Sequence, residues 1–168
     1  MEITVSLPNN LLPDKYGKYA SSDDIKNGKP IISFPIQLSD IPADAKTIAL
    51  TFTDPDSIPV CGFEWIHWTA ANIPSSQVEL PENFSQTATL PIVQGKNSSA
   101  SPLLNGPKDV ATGYNGPYPP DQTHDYVLKV FALDDNLDLE NGFWMNELLH
   151  KMDGHIVATA QKTIPSRA

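Results

Sequence analysis

Hydrophobic and polar residues alternate along much of this chain with a period of two. Residues 47–53 show it most clearly. Ile48, Leu50 and Phe52 fall on one side, and Thr47, Ala49, Thr51 and Thr53 on the other, which predicts a β-strand with two distinct faces. Residues 64–71 repeat the pattern, with Trp65, His67 and Thr69 on one face and Ile66, Trp68 and Ala70 on the opposite one. Further strands are predicted over 3–7, 31–38 and 126–133, with a weaker one over 87–93. Pro35 lacks an N–H, so the strand over 31–38 belongs at a sheet edge or a bulge. Residues 155–164 read as a last strand, though their alternation is loose enough for a helix as well.

One helix stands out. Trp144, Leu148, Leu149 and Met152 recur at i, i+4, i+5 and i+8 within 143–153, giving a single apolar face. Asn141 is placed to cap its start. His150 and Lys151 sit in the last turn, where the helix dipole favours cations, and Gly154 is a natural stop. Residues 23–26 add a short helical turn. The longest irregular stretch is 94–115, with turn chemistry at 96–101 and at Asn105-Gly106-Pro107. These elements predict one domain over residues 1–168: a mainly β sandwich with one or two peripheral helices.

Composition narrows the class. At 168 residues with 40% apolar positions, the chain can bury a sizeable core. Its net charge of −9 argues against nucleic acid and anionic membrane surfaces, which need clustered Lys and Arg. Sixteen prolines, far above the usual share of about 5%, are scattered and punctuate many short elements. No apolar run reaches the roughly 20 residues that a bilayer span requires. The N-terminal residues show no secretion signal, and Cys61 is the one cysteine, so a reducing, cytoplasmic compartment is expected.

Candidate chemistry gathers in two places. Asp54-Pro55-Asp56 follows the clearest strand, and Pro55 fixes one φ so that the two carboxylates keep a defined separation. The same residues also make an ordinary turn. His67 lies mid-strand beside Trp65. His124 opens the strand that follows Pro119-Pro120-Asp121-Gln122-Thr123, with Tyr126 on its face and Asp125 on the other. Taken alone, each histidine reads equally well as a hydrogen-bonded core residue. Between them, Gly113 and Gly116 permit positive φ and uncovered N–H groups, an anion-binding nest or simply a tight connector. Two His and two Asp are legitimate metal ligands, but no metalloprotease spacing accompanies them. Ser57, the serines at 98–101 and Cys61 are potential nucleophiles, none of them in a nucleophile-elbow context.

Read together, Asp54-Pro55-Asp56 with Glu64-Trp65-Ile66-His67-Trp68, and Gly113-Tyr114-Asn115-Gly116-Pro117-Tyr118-Pro119-Pro120 with His124-Asp125-Tyr126, resemble the phosphatidylethanolamine-binding proteins. These are also called Raf kinase inhibitor-like proteins, and the similarity is greatest to their bacterial and archaeal branch. It runs from about residue 31 to 164. The resemblance implies a large central antiparallel sheet packed on a smaller one. It also implies a small pocket for phosphate or phosphorylated head groups, built here from Asp54, Asp56, Trp65, His67, Gly116, Pro120, His124 and Tyr126.

No metal or cofactor is implied. The implied role is binding or regulation rather than catalysis, with a kinase or protease as the protein partner. A metal-dependent or Cys/Ser hydrolase using the Asp/His cluster is the alternative. The helix over 143–152, with Phe143 and Met145 beside its main face, is either core or a homodimer contact. Three departures stand out: Asp125 where the family usually has Arg, a short 120–124 loop, and an apparent insertion over 101–110. For the pocket itself we expect a carboxylate to raise a histidine pKa. The protonated His67 or His124 would then donate to a phosphate oxygen, with loop N–H groups supplying the remaining donors.

Overall fold

A computed structural model describes residues 1–104 and 106–168. Asn105, part of the turn read at 105–107, lies outside the described residues. In chain order the elements are β1 (Glu2–Thr4), β2 (Ile25–Lys26), β3 (Lys29–Pro30), β4 (Ile36–Ser39), β5 (Thr47–Asp54), α1 (Ile58–Cys61), β6 (Trp65–Pro74), β7 (Glu79–Leu80), α2 (Phe84–Thr87), β8 (Val93–Gln94), β9 (His124–Leu133), α3 (Met145–Met152) and β10 (Ile156–Ser166). A five-stranded sheet runs β10-β9-β5-β6-β8, a three-stranded sheet runs β1-β4-β7, and β2-β3 form a separate hairpin. Every pairing is antiparallel. The mainly β, two-sheet architecture with peripheral helices matches the sequence reading.

β5 sits at the centre of the large sheet and is buried along its whole length. Its alternation therefore separates two cores rather than core from solvent. Ile48, Leu50 and Phe52 face the main core, with Trp68, Tyr126 and Leu128 from the same sheet and Ile36, Leu38 and Leu80 from the smaller one. Ala49 faces the second core, where Ala71 and Leu133 meet Phe143, Leu148 and Met152. The helix over 143–153 thus covers the far side of the sheet. Its face is narrower than the periodicity predicts, because Leu148 and Met152 are buried while Leu149 and Trp144 are exposed.

Several boundaries move for identifiable reasons. The strand read over 3–7 stops at Thr4 and gives way to a 3-10 turn at Pro8–Asn10. The strand read over 31–38 forms only at Ile36–Ser39, after the proline that cannot donate to a ladder. The weak strand over 87–93 is corrected. α2 occupies its start, and only Val93–Gln94 pairs, at the sheet edge against Ala71 and Ala70; Pro91 removes a donor in between. The turn at 23–26 is a 3-10 turn at Ser22–Asp24 running into β2. Asn141 does not cap α3. Its side-chain oxygen accepts from the Gln94 N–H at 2.9 Å, and the Glu147 carboxylate accepts from the Trp144 N–H at 2.6 Å. Gly154 ends the helix at φ +81 as expected. The ambiguous segment 155–164 is a strand, paired along β9.

Candidate functional site

The pocket opens at the end of β5, where the chain leaves the main core. Asp54 is the last residue of β5 and the cap of a 3-10 turn, Pro55–Ser57. Its Oδ1 accepts from the Ser57 N–H at 3.1 Å, which leaves Oδ2 free to face β9. There Oδ2 meets His124 Nδ1 at 2.8 Å. Asp56 points away. Its carboxylate accepts from the backbone N–H of Asp125 at 2.8 Å, pinning the turn to the start of β9, and Asp56 does not line the cavity.

β6 delivers His67 by an irregularity. Phe52 pairs with Trp68 and Thr53 with Ile66, so His67 has no partner on β5 between them. This is a β-bulge, a device that re-aims a side chain. It corrects the simple alternation over 64–71. Trp68 joins His67 on the pocket side, with its ring 5.8 Å from Tyr114. The His67 ring lies 5.8 Å from Phe52 and 5.0 Å from Tyr126. The aromatic wall beneath the pocket is therefore continuous with the main core.

The two histidines are in opposite states. Both ring nitrogens of His124 contact carboxylates: Nδ1 to Asp54 at 2.8 Å, and Nε2 to Asp121 Oδ1 at 2.9 Å. A carboxylate can only accept, so both nitrogens carry hydrogen and the ring is an imidazolium. Burial pulls the His124 pKa down, but the bonds to Asp54 and Asp121 outweigh it and hold the pKa above the usual value. His67 is pushed down to about 4, chiefly by burial. It is neutral near pH 7, and Nδ1 donates to the Asn115 carbonyl at 2.8 Å. That fixes the tautomer and leaves Nε2 as an acceptor. Of the two alternatives, a protonated His67 or His124, the structure selects His124, paired with Asp54, and leaves His67 neutral.

The glycine-containing loop is not an anion nest. The N–H groups of Gly113, Tyr114, Asn115 and Gly116 donate to Gly95 O, Ser85 Oγ, His67 O and Pro30 O at 3.1, 2.9, 2.9 and 2.8 Å. Gly113 does adopt φ +81, whereas Gly116 does not use positive φ. Gly116 is needed for close approach instead: a Cβ there would collide with the Tyr16 carbonyl and lie 2.8 Å from Pro30 Cβ. Gly116→Ala is accordingly expected to destabilise the protein by about 3 kcal/mol, the upper end for overpacking, read as a lower urea midpoint.

Those contacts bring in a residue that the sequence reading missed. Asn27 and Gly28, at φ +48 and +75, make the tight turn of the β2–β3 hairpin. The Gly116 N–H bond to Pro30 O docks that hairpin beside the pocket. Lys29 lines the cavity and stands 5.6 Å over the Trp65 ring. Burial lowers its pKa. Asp121 is the second missed residue. The cavity holds about 180 Å³ and is lined by Asp54, Trp65, His67, Gly116, Pro120, His124 and Tyr126 of the eight candidates, together with Lys29, Cys61 and Tyr118. That is below the roughly 300–1,000 Å³ of drug-sized pockets. The Tyr126 hydroxyl is buried without a hydrogen-bond partner.

The family model for phosphatidylethanolamine-binding proteins matches residues 2–166. The chain belongs to the phosphatidylethanolamine-binding protein family. The YxkA protein of Bacillus subtilis is 55% identical over 152 residues, 89% of this chain and 90% of that protein. A UPF0098 protein of Methanothermobacter thermautotrophicus is 36% identical over 132 residues, 77% of this chain and 79% of that protein. Among solved structures, the putative phosphatidylethanolamine-binding protein homolog CT736 of Chlamydia trachomatis superposes with a TM-score of 0.79 at 32% identity, covering 99% of this chain and 97% of that one. YbcL of Escherichia coli shares the fold, with a TM-score of 0.76 at 24% identity.

Within this family member, the site combines a cation supplied by β9, a second cation supplied by the N-terminal hairpin, and an orphaned phenol. Asp125 is exposed, and only its backbone N–H enters the network, through Asp56. Among the described residues no helix is long and apolar enough to cross a membrane.

Proposed function

We propose that this phosphatidylethanolamine-binding protein family member is a binding protein whose pocket takes phosphate or a phosphorylated head group without turning it over. The observation that carries this reading is His124, a buried imidazolium with both N–H groups directed at carboxylates. Beside it stand the Lys29 ammonium and the unpaired Tyr126 hydroxyl. These are donors of the kind a phosphoryl oxygen accepts from. His67 Nε2 accepts, and so suits a protonated phosphate oxygen.

The two potential nucleophiles that line the cavity, Ser57 and Cys61, are otherwise engaged. Ser57 Oγ lies 2.6 Å from the Asp54 carbonyl and 2.8 Å from the Phe63 carbonyl, and accepts from the Trp65 N–H at 2.9 Å. Cys61 Sγ lies 3.3 Å from the carbonyls of Ser57 and Phe63. Neither is hydrogen-bonded to a histidine, the arrangement that nucleophilic catalysis requires. Val60 and Tyr118 line the cavity and are exposed, and exposed Phe63 stacks on Trp65 of the cavity wall. This apolar rim is the surface that a regulated kinase or protease would meet.

The test is p-nitrophenyl phosphate. Calorimetric binding to the intact protein with no release of nitrophenol is expected. Steady release of nitrophenol, removed by His124→Leu, would overturn the reading in favour of a hydrolase.

A further inference from the structure

We propose that Asp121 is a built-in competitor for the anion site, a carboxylate that holds His124 Nε2 until a ligand displaces it. The proposal rests on the anion reading above and deepens it.

The two carboxylates on His124 are not equivalent. The Asp54 side chain is 5% exposed and tied to the Ser57 N–H as well, whereas the Asp121 side chain is 55% exposed. Asp54 is therefore a fixed part of the wall. Asp121 sits in a surface turn with Pro120, Gln122 and Thr123, all exposed. Its carboxylate can swing into water without uncovering any core.

Access to His124 matters because donors are scarce. The N–H groups of residues 113–116 are all spent inside the fold. His124 Nδ1 is spent on Asp54. Among the cavity-lining residues the further donors are the Lys29 ammonium and the Tyr126 hydroxyl, while Asp121, which does not itself line the cavity, holds His124 Nε2 at 2.9 Å. An anion oxygen and the Asp121 carboxylate would compete for that one hydrogen, and both carry negative charge. An anion oxygen that takes Nε2–H therefore displaces the Asp121 carboxylate from it. The affinity of the pocket is set partly by a residue that never touches the ligand.

Inorganic phosphate titrated calorimetrically into the intact protein tests this. Asp121→Ala and Asp121→Asn are expected to bind phosphate about tenfold tighter than wild type, the scale of one charge-assisted hydrogen bond at a half-exposed site. Asp125→Asn removes the same charge nearby without vacating His124, and should stay within about twofold of wild type, because exposed charges are screened over about 8 Å at physiological salt. Unchanged or weaker phosphate binding by both Asp121 variants, with wild type still binding, overturns this proposal alone. An equal gain from Asp125→Asn also overturns it, because simple charge repulsion then suffices. If no variant binds phosphate at all, the anion reading falls and this proposal falls with it.

Discussion

His124→Leu is expected to lower the unfolding free energy by about 3 kcal/mol and to abolish phosphate binding. The ring is 1% exposed, and its Nδ1 partner Asp54 is 3% exposed. Removing the imidazolium leaves Asp54 Oδ2 as an uncompensated buried charge, and breaking such a pair typically costs about 3–5 kcal/mol. The lower end applies here, because the pocket mouth admits water. The loss should be strongly non-additive. Replacing both partners, His124→Leu with Asp54→Leu, removes the stranded charge, so the double variant should recover part of the loss even though Asp54 also caps the Ser57 turn. Urea denaturation of the two single variants and the double variant reads this directly. Additive losses would mean that Asp54 and His124 act independently.

Acid should weaken the fold through His67. Its pKa is pushed down to about 4 by burial, against about 6.5 in the unfolded chain. Between those values the unfolded chain binds a proton that the folded protein refuses, so stability falls as pH falls. The contribution is fully present above about pH 6.5 and lost progressively toward pH 4. A difference of roughly 2.5 units corresponds to about 3 kcal/mol. His124 has the opposite sign. Its raised folded pKa stabilises the fold below about pH 6.5, and that contribution is lost as pH rises through the folded value. Unfolding midpoints measured from pH 4 to 8 should therefore fall on the acid side in wild type, with a visibly flatter acid limb in His67→Gln. An acid limb of the same steepness in His67→Gln would assign the effect to other groups.

Local patterning made much of this readable from the chain. The period-two run at 47–53 placed β5, and the motif pair placed His67, His124, Asp54 and Tyr126 around one cavity. Failures came where tertiary contacts decide. The bulge at His67 depends on how β6 pairs with β5, and period-two reading put Trp68 on the wrong side for that reason. Gly116 was read for its φ freedom, whereas its role is to let Tyr16 and Pro30 approach. Asn27-Gly28 is a hairpin signal that the sequence reading passed over, and only the bond from Gly116 to Pro30 shows that the hairpin carries Lys29 to the pocket. Asp121 lay in a stretch read only as what precedes the His124 strand, and its distance from His124 is a property of the folded turn. Asp56 carried the same motif weight as Asp54. The pairing of β9 with the turn separates their roles, sending one carboxylate to the imidazole and the other to a backbone N–H.

The account centres on a cationic His124 facing a small anion pocket, beside a neutral His67. Long-range proton–nitrogen NMR of the two imidazoles during a titration with inorganic phosphate tests this most directly. His124 should read as an imidazolium at neutral pH and His67 as the neutral Nδ1–H tautomer. Both sets of signals should move together and saturate as phosphate binds. A neutral His124, or two imidazoles that stay unmoved at the highest phosphate concentration the protein tolerates, would contradict it.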